Sequence, residues 1–163
     1  MVENSDAAPN LSSNLIKGDF KSSSIPPFFG LFAGILAFYL DELFPNRGYL
    51  SDEYYLGVAF EFQLIVFMAF LFSIPLLFFE SKRLDVSLSE MILGSIICNF
   101  ICLIIAYGHG YFPLLLIFYI QWLWICYFWQ KKLLPPFRYS IWISLGLLCG
   151  AIAGSILALS IFN

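Results

Sequence analysis

The sequence predicts an all-α fold: a polytopic integral membrane protein built as a bundle of five transmembrane helices. Three observations carry that prediction. The first is composition. Of 163 residues, 61% are hydrophobic, 20% are aromatic and 12% are charged. Water-soluble domains run at about 45–50% apolar and about 25% charged. The second is the length of the uncharged runs, since a helix needs about 20 apolar residues to cross a hydrocarbon layer of roughly 30 Å. The third is the distribution of Lys and Arg, which a five-pass arrangement gathers almost entirely on one side.

The uncharged runs are Ser22 to Leu40, Tyr54 to Phe79 (interrupted by Glu61), Met91 to Gln130, and Tyr139 to Asn163. The third run is long enough for two crossings. Its break is Gly108-His109-Gly110, followed by Pro113, a residue suited to a helix first turn. The expected helices cover about 26–44, 54–79, 88–107, 112–130 and 139–161. Residues 1–25, rich in Ser and Asn, read as a polar, disordered tail on the cytoplasmic side. They lack the apolar stretch of a secretory signal. Residues 26–163 form the membrane domain.

Each expected helix has a local rationale. Pro26 and Pro27 open the first, where a missing N–H costs little. Pro45-Asn46-Arg47-Gly48 is a turn after it. Ser51, with Asp52 and Glu53, suits the start of the second as a cap plus acids at the positive helix end. Pro75, with Ser73 nearby, should kink that helix. Ser87 and Glu90 have capping-box spacing before the third. The fourth is rich in aromatics, among them Trp122, Trp124, Tyr127 and Trp129. Pro135-Pro136 punctuates the connection to the fifth. Tyr139 and Trp142 suit an interfacial aromatic belt.

Charge placement sets the expected orientation. Lys17, Lys21, Lys82, Arg83, Lys131, Lys132 and Arg138 share one side, and Arg47 is the basic residue of the other. That is the positive-inside pattern. It puts the N-terminus in the cytoplasm and the C-terminus outside, in a bacterial inner membrane or an organellar membrane. Net charge is −3, so no basic surface for nucleic acid is on offer.

Candidate functional residues are few. Glu61 is the carboxylate inside a hydrophobic run, and a buried charge there costs several kcal/mol unless paired or wetted. Arg47 is its candidate partner in an outer ion pair. Asn99 and Gln121 lie equally far from Gly110 in sequence. Antiparallel helices would bring both amides to one depth, where lipid offers them no partner. With Gln63, these residues define a candidate intramembrane polar site of Glu61, Gln63, Asn99 and Gln121. Gly30 and Gly34, and Gly146, Gly150 and Gly154, recur every fourth residue and read as helix-packing stripes. The first and last helices run the same way, so the stripes could pack in parallel on each other, or on a second copy or partner subunit. Cys98, Cys102, Cys126 and Cys149 read as apolar thiols inside spans.

His109 is the single histidine and is expected in a loop. Two-histidine haem ligation and a His-rich zinc site are thereby excluded. No nucleotide-binding glycine loop, metalloprotease or nucleophile-elbow motif is present. The expectation is a small non-catalytic subunit or assembly component of a membrane complex, without cofactor, whose partners are the bilayer and either further copies of itself or other membrane subunits. The alternative is a small transporter or channel component built around Glu61, Asn99 and Gln121.

Overall fold

In the computed structural model, residues 16–17, 24–43, 54–109, 120 and 133–162 are described. Among them the fold is all-helical apart from one two-residue strand pair. The elements in order are β1 (Ile16–Lys17), α1 (Ile25–Glu42), α2 (Tyr54–Leu84), α3 (Leu88–His109), β2 (Leu133–Leu134) and α4 (Pro136–Phe162). Four of the five expected helices therefore have counterparts. Of the expected segment 112–130, all but residue 120 lies outside the described residues.

The helix boundaries depart from expectation in instructive ways. α2 runs on past Phe79 to Leu84, because Glu80 and Ser81 are buried and bonded rather than solvated. α3 includes His109, which was expected in a loop. What remains between α2 and α3 is the turn Asp85–Ser87. There Asp85 takes φ 52°, the Val86 N–H reaches the Ser81 carbonyl (3.1 Å), and the Ser81 hydroxyl donates to the Val86 carbonyl (2.8 Å). This is a Schellman closure with Asp in the left-handed position usually held by Gly. The expected Ser87–Glu90 capping box does not form; the Ser87 hydroxyl pairs with that of Ser89 at 2.8 Å. β1 pairs antiparallel with β2 (Ile16 with Leu134, Lys17 with Leu133), so part of the segment read as a polar tail is tied to the chain just before α4.

α1, α2 and α4 are long and apolar enough to cross a bilayer. Around an apolar core, the four helices also turn large apolar side chains outward and small polar ones inward. Phe28, Phe32, Phe67, Phe79, Phe100 and Ile161 are exposed, while Ser73, Ser95, Ser144 and Asn99 are buried. Apolar surface outward and hydroxyls inward is the arrangement lipid selects, since hydrocarbon neither repels Phe nor satisfies Ser. This is consistent with a membrane location.

α4 is the hub. Of its apolar span 67% is buried, against 28% for α1, and it packs on α1, α2 and α3. Contacts fix the relative directions. Gly150 meets Pro27 and Gly154 meets Leu31, so α1 and α4 run in parallel. Gly94 meets Phe137 and Ser140, and Cys98 faces Ile141, so α3 runs with α4 as well. α2 runs the opposite way, its C-terminal Glu80 touching Tyr139 near the start of α4. The starts of α1, α3 and α4 and the end of α2 thus share one end of the bundle, called here the near end.

Candidate functional site

The densest polar cluster in the described interior lies where α2, α3 and α4 meet. It grows from single serines on otherwise apolar helices. Ser73 of α2, Ser95 of α3 and Ser144 of α4 are each at most 2% exposed. Ser144 donates to Ser95 Oγ at 2.9 Å, and Ser73 Oγ lies 3.0 Å from Ser95 Oγ. Ser73 spends its own proton on the Phe70 carbonyl at 2.6 Å, so the Ser95 hydroxyl is the donor to Ser73. The protons therefore run one way: Ser144 to Ser95 to Ser73 to the Phe70 carbonyl. Such interhelical bonds are worth about 0.6 kcal/mol on average in membranes.

Asn99, 5% exposed, joins this junction from one turn further along α3. Its amide nitrogen donates to the Ser95 carbonyl at 2.8 Å and lies 3.4 Å from Ser95 Oγ. Its amide oxygen meets no donor among the described residues, and Gln121, its expected partner, lies outside them. Gln63, the other described member of the expected polar site, does not reach this junction. Gln63 is half-buried on α2. Measured from the Ser73–Ser95 contact at 1.5 Å per residue, it is offset from Asn99 along the bundle by about 9 Å. Glu61 belongs to α2 by its backbone, its side chain lies outside what is described, and so does Arg47.

The glycine stripes find their partners within the chain. A Cβ on Gly30 or Gly34 would run into the carbonyls of Leu147 and Ala151, and one on Gly150 or Gly154 into those of Pro27 and Leu31. One α-hydrogen of each glycine therefore points at a carbonyl oxygen of the opposite helix. Contacts of this Cα–H···O kind contribute roughly 0.5–1 kcal/mol each. Gly146 is buried on the same helix. At these four glycines α1 and α4 pack in parallel, backbone against backbone.

Two features escaped the sequence reading. Gly94 lets α3 approach α4, where a Cβ would strike Ser140 Oγ and the Phe137 carbonyl. The pairs Gly94-Ser95 and Ser140–Ser144, small residues side by side or four apart, were the available signal. The second feature is Glu80. Its side chain is 10% exposed, and Oε2 accepts from Arg83 (2.6 Å) on its own helix and from the Tyr139 hydroxyl (2.6 Å) of α4. Tyr139 stacks on Trp142 with ring centroids 5.7 Å apart. Both rings are 2% exposed, so they belong to the bundle interior rather than to the interfacial belt expected for them. Glu80, Tyr139, Trp142, Ile25, Pro26, Leu76 and Ile143 line a cavity of about 10 Å³, near the smallest volume that holds one water. The positive starts of α1 and α4 flank the carboxylate, which offsets part of its burial cost.

Cys98 and Cys102 are buried and Cys149 half-buried, all as free thiols; Cys126 lies outside the described residues. No group of His, Cys, Asp or Glu among the described residues has the geometry to hold a metal ion. No protein-family model, curated protein or solved structure matches this chain.

Proposed function

We propose that the chain is a five-pass membrane protein, N-terminus in the cytoplasm and C-terminus outside, that serves as a non-catalytic subunit or assembly component of a membrane complex. The topology rests on direction. α3 ends at the far end of the bundle and α4 starts at the near end, the arrangement that a further crossing between them requires. The near end also carries Lys82, Arg83 and Arg138, the basic residues that favour the cytoplasmic side. Tags on the two termini are expected to report opposite compartments, and a shared compartment would overturn the five-pass reading.

The subunit role rests chiefly on one observation: the hydroxyls of Ser73, Ser95 and Ser144 are spent on one another and on the Phe70 carbonyl. A transport site keeps intramembrane polar groups available to a substrate or ion. These instead join three helices. The glycine seam adds nothing for an external partner, since α1 and α4 use it internally. The apolar outer faces of α1, α2 and α3 remain as surface for lipid or neighbouring subunits. Purification in mild detergent with sizing is the test. Stoichiometric membrane partners or a defined oligomer are expected. A homogeneous monomer at every detergent concentration would overturn the role.

A further inference from the structure

We propose that the C-terminal part of α2, residues 76–84, is a hinged arm latched to α4 by the Glu80–Tyr139 hydrogen bond. The inference stands apart from the subunit role and uses different residues.

The hinge is Pro75. Lacking an N–H, it leaves the Leu71 carbonyl without its helical bond. Both Leu71 and Pro75 are on the exposed face of α2. A proline ring on the outer face favours a bend toward the bundle, so straightening at Pro75 would carry the arm away from it. Polar contacts bracket this weak point. On one side Ser73 is held by Ser95, fixing the upper part of α2 to α3 and α4. On the other, Glu80 is held by Tyr139, fixing the arm to the start of α4.

The packing behind the arm differs from that above it. At the serine junction the hydroxyls meet directly. Behind the arm is the water-sized cavity between Glu80, Leu76 and the starts of α1 and α4. Arg83, the cation that neutralises Glu80, is on the arm itself and also reaches the Tyr139 hydroxyl, so both arm groups meet α4 at that one side chain. The exposed Lys82, also on the arm, lies over the Phe78 ring at 4.3 Å. The polar tie between arm and α4 converges on the Tyr139 hydroxyl. Releasing it opens the cavity and bares Trp142 and Ile143 at the near end.

Amide hydrogen exchange on the full chain in detergent micelles or nanodiscs tests the arm. Tyr139→Phe removes the hydroxyl and keeps the stack on Trp142. Loss of one charge-assisted bond is expected to raise exchange about tenfold across 76–84 while 62–73 stay unchanged. No rise in 76–84, or an equal rise across 62–73, would overturn the proposal. Pro75→Ala restores the missing rung, and in the double variant with Tyr139→Phe the rise should largely vanish. A rise that persists would refute the hinge. Should Tyr139→Phe fail to fold, Glu80→Gln weakens the same bond and is read by the same two outcomes.

Discussion

α4 presents two seams that solve one problem differently. Against α1 it offers Gly150 and Gly154, and the backbones meet with no side chain between them. Against α2 and α3 it offers Ser140 and Ser144, and the helices are joined by hydroxyls as well as by packing. Both seams use small residues, because lipid supplies no hydrophobic drive for helices to associate and close approach must replace it. They differ in tolerance. The glycine seam has no atom to spare, so any added carbon strikes a backbone carbonyl, which cannot rotate aside. The serine seam holds atoms that can be removed without a clash, and its loss is measured in hydrogen bonds.

That difference orders the expected effects. Gly150→Leu forces a branched side chain against the Pro27 backbone and should separate α1 from α4. We expect a loss of about 3 kcal/mol or more, the upper range for overpacking, read as collapse of the thermal transition in detergent. Gly34→Ala adds one methyl against the Ala151 carbonyl and should cost about 1–3 kcal/mol by the same measurement. If it proves neutral, the seam is looser than its geometry implies. Ser95→Ala removes the central hydroxyl, leaves Ser144 without an acceptor, and is expected to cost about 1.5 kcal/mol, near the maximum for such bonds in membranes. Ser144→Ala removes one terminal donor and should cost about 0.6 kcal/mol.

A double variant sharpens the comparison further. Gly34→Ala and Ser144→Ala act on different seams and share no partner, so their effects should add within about 0.5 kcal/mol. Ser95→Ala and Ser144→Ala share a bond and should fall short of additivity. Equal coupling in both pairs would mean that α4 responds as one unit rather than through two independent faces.

The glycine seam was legible in the sequence and the serine junction was not. Gly30, Gly34, Gly150 and Gly154 announce themselves by spacing, and the five-pass count already ran their helices in one direction. Ser73, Ser95 and Ser144 lie singly on apolar helices and barely disturb hydropathy. Only the packing of three helices brings their hydroxyls together. Asn99 is a buried amide. Its observed bond goes to its own helix, a contact four residues away that needed no distant partner. Glu80 was missed because it borders a charged stretch, Glu80 to Arg83, that reads as a solvated loop. Burial against Tyr139 keeps it helical instead. The basic residues Lys82 and Arg83 suit the negative end of α2 there.

The hub of this bundle is also the latest made of the described helices. α1, with its glycine face bare, precedes α4 by most of the chain. At roughly 5–20 residues per second, ribosomes leave that face waiting on the order of ten seconds. The hydroxyls of Ser73 and Ser95 can meet in the α2–α3 hairpin beforehand, but their third partner, Ser144, arrives only with α4. Biogenesis of such a protein depends on whatever shelters those unfinished surfaces in the meantime, and a ribosome stalled before residue 136 would leave α1, α2 and α3 without the helix they pack around.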